Sequence, residues 1–151
     1  MAVMVNGGGA GGGGGWINIT DSVTLGRGQA VDFDSGDWSY KVRSDNENYA
    51  YVLIENVQAG ERYRVTGWTG GSPMLAAGCL DSNNKVLYGS ERSNGTESRY
   101  DAYAGTKLSY FYCPLEIAIP KIPGITKLMV SHNAIAAGST YDDVIVEKYI
   151  G

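Results

Sequence analysis

From Trp16 onward the chain is a succession of short runs in which apolar and polar residues alternate, each closed by residues that favour turns. Alternation with a period of two sends successive side chains to opposite faces of an extended backbone, so such runs predict strands with one face on a core. The runs cover residues 16–20, 22–25, 29–33, 38–43, 49–57, 62–69, 74–81, 86–89, 107–119, 127–131 and 142–150. Between them lie Gly26-Arg27-Gly28, Ser35-Gly36-Asp37, Gln58-Ala59-Gly60-Glu61 and Asp81-Ser82-Asn83-Asn84, residue types that accept a positive φ or close a side-chain turn. In the run after Arg62, Tyr63, Val65 and Gly67 share one face while Arg64, Thr66 and Trp68 share the other. Near the end, Val144, Val146 and Lys148 stand opposite Ile145, Glu147 and Tyr149, an imperfectly amphipathic strand that closes the fold; with only Gly151 after Ile150, no further domain is expected to follow. A 3.6-residue apolar period is never sustained, so helix is expected to be nearly absent. The fold class these features predict is all-β, an antiparallel β-sandwich of jelly-roll type.

The first fifteen residues break this pattern. Gly7 to Gly15 are all glycine apart from Ala10. Such a run buries almost nothing and loses much backbone entropy if it is ordered, so by itself it is a tether. The expected division is a glycine-rich arm at 1–15 and a β domain at 16–151. Val3, Met4 and Val5 would form an apolar hook at the far end, able to add to a neighbour's sheet or sit in a groove, with Gly7, Gly11 and Gly15 as the flexible part of the same anchor. Two readings stand side by side: a disordered start without a role, and a natural arm that gains order only inside an assembly.

Composition narrows the partners. Hydrophobic residues make up 43% and charged residues 19%, and 11 residues are Tyr, a balance that suits strands and polar-aromatic surfaces better than long charged helices. The formal net charge is -4 with Lys and Arg scattered, so the footprint of a nucleic-acid binder is missing. The first residues have neither the basic start nor the apolar core of a secretory signal, and no stretch reaches the roughly 18 apolar residues of a membrane span. Cys79 and Cys113 read as two buried thiols ahead of a disulfide, because two cysteines make no framework. Asn18-Ile19-Thr20 and Asn94-Gly95-Thr96 match the glycosylation acceptor pattern, but without a signal they read as chance.

Catalytic signatures are thin. His132 is the single histidine, with no Ser, Cys or carboxylate pattern around it, and reads as a surface or turn residue. Asp32, Asp34 and Asp37 cluster tightly enough to hold a calcium ion, against the simpler reading of acidic turn residues. No cofactor is expected. Gly26-Arg27-Gly28 and the glycine run lack the strand, helix and Lys of a phosphate loop. Paired carboxylates of a glycosidase form in space and leave no linear trace, so a small polysaccharide depolymerase ranks last among the readings. What stands out is the supply of aromatics on short strands and loops: Trp38, Tyr40, Trp68, Tyr88, Tyr100 and Tyr103, with Asp101 between the last two. Aromatic faces stack on the C–H faces of sugars while neighbouring polar groups fix hydroxyls, which makes these residues glycan-binding candidates. For Trp38 and Trp68 a place at the core edge competes with that role. Tyr100 and Tyr103 lie in the irregular stretch 90–106, a long polar segment of the kind that carries function.

Three segments carry a resemblance: Val57-Gln58-Ala59-Gly60-Glu61-Arg62-Tyr63-Arg64-Val65-Thr66-Gly67-Trp68, Leu80-Asp81-Ser82-Asn83-Asn84-Lys85-Val86-Leu87, and Ile119-Pro120-Lys121-Ile122-Pro123-Gly124-Ile125-Thr126-Lys127-Leu128-Met129-Val130-Ser131. Together they resemble the carbohydrate-binding-like jelly-roll domains of tail, fibre and head-decoration proteins of tailed bacteriophages. The glycine-rich start is similar to the arms with which phage structural proteins hook onto a capsid or tail partner. The resemblance implies a non-enzymatic virion component, often a homo-oligomer, bound to other virion proteins through its arm and presenting a face to host or mucosal glycans. No coiled-coil or repeat shaft of a fibre is present, which favours a small accessory protein fixed directly to the particle. The competing expectation is a receptor- or glycan-binding module whose arm only joins it to another chain.

Overall fold

A computed structural model of the protein describes residues 14–34, 39–66, 74–93, 96–98, 115–132 and 144–151. Their strands are β1 (Gly15–Asn18), β2 (Thr24–Arg27), β3 (Ala30–Asp34), β4 (Ser39–Arg43), β5 (Ala50–Glu55), β6 (Arg62–Thr66), β7 (Met74–Leu80), β8 (Val86–Ser93), β9 (Thr96–Ser98), β10 (Leu115–Ala118), β11 (Lys127–His132) and β12 (Ile145–Ile150). A single 3-10 turn, Thr20–Ser22, joins β1 to β2. No helix among the described residues is long and apolar enough to cross a membrane. The turn chemistry is visible at the β7–β8 hairpin. There Asp81 Oδ1 accepts the backbone N–H of Asn83 at 2.8 Å and of Lys85 at 2.9 Å, and Asn84 takes φ +63°. An Asp side chain that mimics a backbone turn, followed by a residue tolerant of the left-handed region, is what the Asp-Ser-Asn-Asn run encodes.

Two expectations change at this level. Residues 90–106 are not loop throughout: β8 continues to Ser93 and β9 folds back on it, pairing Ser93 with Thr96. Gly26 and Arg27, read as a turn, belong to β2, and the chain reverses at Gly28 with φ +92°.

All pairings among the described residues are antiparallel. One sheet has four strands in the order β1-β12-β6-β10, the second has six in the order β2-β5-β11-β7-β8-β9, and β3 and β4 form a separate hairpin. The two large sheets face each other in a sandwich-like stack. Val52, Ile54, Cys79, Tyr88, Leu128 and Val130 from the six-stranded sheet meet Tyr63, Val65, Ile117 and Val146 from the other. The expected faces of β6 and β12 hold: Tyr63, Val65, Val144 and Val146 are buried. Removing side chains of this size from water stabilises the fold by roughly 1.5–3 kcal/mol each.

The β3–β4 hairpin covers the other face of the six-stranded sheet, where Val31 and Tyr40 pack on Ala76, Leu80, Val86 and Met129. Close approach is possible because β7 and β8 carry glycine beneath it. A Cβ on Gly89 would stand 2.5 Å from Cγ of Tyr40, and one on Gly78 would stand 3.0 Å from Val31. The buried N–H of Val31 donates to Oγ of Ser131 on β11 at 3.0 Å, tying hairpin to sheet where an unpaired amide would be costly. A bulge makes this layering work in β8. Cys79 pairs with Tyr88 but Leu80 pairs with Val86, so Leu87 is the extra residue and Val86 and Tyr88 serve opposite faces. Strand β11, covered on both sides, is buried from Leu128 to His132. His132 is therefore not the surface residue its position suggested, and burial holds its imidazole below the ordinary pKa. Cys79 is a free thiol in the inter-sheet core, and burial pushes it up to about 12; Cys113 lies outside the described residues.

Candidate functional site

The outer face of the four-stranded sheet gathers the most chemically dense surface among the described residues. Strand register puts Asn18, Glu147, Arg64 and Glu116 in one row across β1, β12, β6 and β10. The neighbouring row begins with Trp16 opposite Tyr149. Arg64 donates to Oε1 of Glu147 from Nε at 2.9 Å and from Nη2 at 2.8 Å, and Arg62 donates to Glu116 at 2.5 Å. The guanidinium of Arg62 lies 4.4 Å from the Tyr149 ring centre and 5.5 Å from that of Trp16, while that of Arg64 lies 4.3 Å from Trp16. The two rings meet edge to face at 5.2 Å and 65°. Two cations and two anions cancel, so the surface is a neutral platform of stacked π systems with guanidinium edges. An exposed ion pair such as Arg62–Glu116 contributes at most about 1 kcal/mol, so it supplies shape more than stability. A flat polar-aromatic surface suits stacking with hydrogen bonds at its rim.

The platform also receives the start of the described chain. The Tyr149 ring lies so close over Gly14 and Gly151 that neither could carry a Cβ without displacing it. Gly15, assigned to the arm from sequence, is the first residue of β1 and pairs with Ile150. Gly14 and Gly15 are therefore fixed on this sheet.

A second arrangement lies between the sheets. The carboxylate of Glu61 accepts the backbone N–H of Gln58 at 2.7 Å, the hydroxyl of Tyr63 at 2.9 Å and the ammonium of Lys148 at 2.8 Å. Burial pulls this carboxyl upward, but the bonds from Lys148, Gln58 and Tyr63 outweigh it and hold the pKa below the ordinary value. The Tyr63 phenol is raised, first by burial and then by its bond to Glu61. Beside this network a cleft of about 410 Å³ opens between the β1–β2 connection and the end of β5.

The aromatic candidates separate. Tyr40 and Tyr88 are 3% and 2% exposed, packed under the hairpin and between the sheets, so neither can offer a face to a sugar. Their alternation looked like that of surface strands because the six-stranded sheet is covered on both sides. Trp38, Trp68, Tyr100, Asp101 and Tyr103 lie outside the described residues, as do Val3, Met4, Val5, Gly7 and Gly11. Of the acidic cluster, Asp32 receives Arg43 at 2.7 Å, and that guanidinium also pairs with Asp45 at 2.5 Å; Asp34 is described as the last residue of β3, and Asp37 lies outside. Among the described residues no group of three His, Cys, Asp or Glu is placed to hold a metal. Sequence reasoning missed Trp16, Tyr149, Arg62 and Arg64. Their signal was present in the alternation of β6 and β12, but the pairing of β1 with β12 is a contact across the whole chain. No protein-family model matches the sequence, and no curated protein matches it.

Proposed function

We propose that this chain is a non-enzymatic structural accessory protein of a bacteriophage particle, a sandwich of jelly-roll type attached through its glycine-rich leader and working as a homo-oligomer in the virion. The reading rests on the three segments that resemble phage carbohydrate-binding-like domains. It rests above all on the way the leader joins the body: Gly14 lies against Tyr149 and Gly15 pairs in the four-stranded sheet. A tether that gains nothing from its own packing is thereby fastened at one end to a rigid surface, which is how an arm transmits attachment to a folded domain. Deleting residues 1–13 should leave thermal stability and circular dichroism unchanged while abolishing incorporation into particles. Normal loading of the truncated protein would end the attachment role of the arm.

A second reading, adhesion to host or mucosal glycans, is favoured by the platform of Trp16, Tyr149, Arg62 and Arg64. On a glycan array, binding that falls with Trp16→Ala would assign it to this surface, and binding that falls with Tyr100→Ala or Tyr103→Ala would assign it to the 99–114 segment. Silence of the wild type on every glycan leaves assembly as the role.

A further inference from the structure

We propose that the outer face of the four-stranded sheet is an isologous interface, which binds the same face of a second copy of this chain. The inference rests on the homo-oligomer reading above and deepens it by naming the surface and its symmetry. Among the described residues this face stays open. The Arg62 and Glu116 side chains are 43% and 46% exposed, and Ile145, 42% exposed, lies on the same side of β12 as Glu147 and Tyr149.

Strand register fixes what a second copy meets. Across β1, β12, β6 and β10 one row carries Trp16, Tyr149, Arg62 and Ala118, and the next carries Asn18, Glu147, Arg64 and Glu116; Ile145 opposite Thr66 begins a third. Two sheets stacked face to face keep their strands nearly aligned, about 10 Å apart. A twofold axis along the strands, midway between β12 and β6, lays β6 over the partner's β12 and β10 over the partner's β1, row against row. Arg64 then faces the partner's Glu147, Arg62 the partner's Tyr149, Glu116 the partner's Asn18, and Thr66 the partner's Ile145. Cation meets anion or ring, and no like charges are opposed. Other axes lack this match. An axis along β6 or β12 sets Arg64 or Glu147 on itself, and one across the strands between the two rows sets Arg62 on the partner's Arg64. An axis between β6 and β10 covers only half of the strands. The central ion pair has capacity to spare: Arg64 gives Nε and Nη2 to Oε1 of its own Glu147, which leaves the Nη1 donors and Oε2 for the partner. Strands roughly 4.8 Å apart, rising about 3.3 Å per residue, give this four-stranded sheet a face of only a few hundred Å². That lies at the low end for specific contacts, so the dimer is reversible, with a micromolar Kd.

The test is sedimentation equilibrium of the full-length protein from low to high micromolar concentration. The wild type should dimerise reversibly, and more weakly as salt is raised. Arg64→Glu and Glu147→Arg should each raise Kd about tenfold or more, because each opposes like charges across the axis. Mixing these two variants should restore a one-to-one dimer, since both facing pairs are then opposite in charge. A folding defect cannot produce that rescue. Deleting residues 1–13 should leave Kd unchanged. A wild type that stays monomeric at every concentration overturns the interface and leaves the face to a different partner; the copy number in the particle then decides the homo-oligomer reading by itself. A dimer unmoved by either single substitution, variants that do not associate on mixing, or a dimer lost with the leader would each overturn this surface while the homo-oligomer reading stands.

Discussion

The outer face of the four-stranded sheet carries Arg62, Arg64, Glu116 and Glu147 in ion pairs, whereas the corresponding face of the six-stranded sheet lies beneath β3 and β4 and carries Ala76, Leu80 and Met129. β6 alternates buried and half-buried residues, whereas β11 is buried at five successive positions. What separates them is residue size at the point of contact. Gly78 and Gly89 thin the six-stranded sheet so that Val31 and Tyr40 can reach its backbone, and the amide of Val31 finds its acceptor in Ser131. The four-stranded sheet instead carries long charged side chains on its outer face, paired with one another across its strands. Covering a face thus requires small residues in the sheet and a hydrogen bond at the seam, and an open face is recognised by their replacement with balanced charge.

The comparison can be broken most severely at Tyr40. Truncation by Tyr40→Ala removes the ring that fills the space over Gly89, and unfolding free energy measured in denaturant should drop by about 3–5 kcal/mol. A drop below about 1 kcal/mol, the scale of a surface change, would mean that the hairpin is not part of the core. A smaller effect is expected where the sheets meet. Glu61 has a folded pKa below its unfolded one, so its contribution is present above the ordinary carboxylate value near 4.3 and drains away as pH falls through the folded value. Glu61→Gln should therefore cost about 1 kcal/mol at neutral pH. That gap should close in acid, which a pair of urea titrations at neutral and low pH measures. A gap independent of pH would show that the Lys148 and Tyr63 bonds do not favour the ionised form. The smallest effect belongs to the open face: Arg62→Ala should change stability by no more than about 0.5 kcal/mol, and less in high salt. A larger loss would make the platform a structural element instead of a presented surface.

Much of this layering was readable from the chain and much was not, for a physical reason. Period-two alternation reports which residues share a face, and it grouped Tyr63 with Val65 and Val144 with Val146, the sets that the fold buries. It says nothing about what lies over the other face. Tyr40 therefore looked like a presented aromatic although it packs under β3–β4 on the covered face, while Tyr88 turns into the space between the sheets and His132 is buried at the end of β11. Turn chemistry is local, and Asp81 to Asn84 was legible from composition alone. The platform depends on Trp16 meeting Tyr149, two residues brought together by sheet closure, and no local signal specifies such a pairing.

The antiparallel pairing of Gly15 with Ile150 has a mechanical consequence. Tension between the leader and the C-terminal residue acts across the hydrogen bonds of β1 and β12 at their shared end, so the ladder opens like a zipper, one rung after another from Gly15 inward. Tension between the leader and a point beyond the far end of β12 loads the same rungs together in shear and meets far greater resistance. The direction from which this domain is pulled thus decides whether its tether peels or holds.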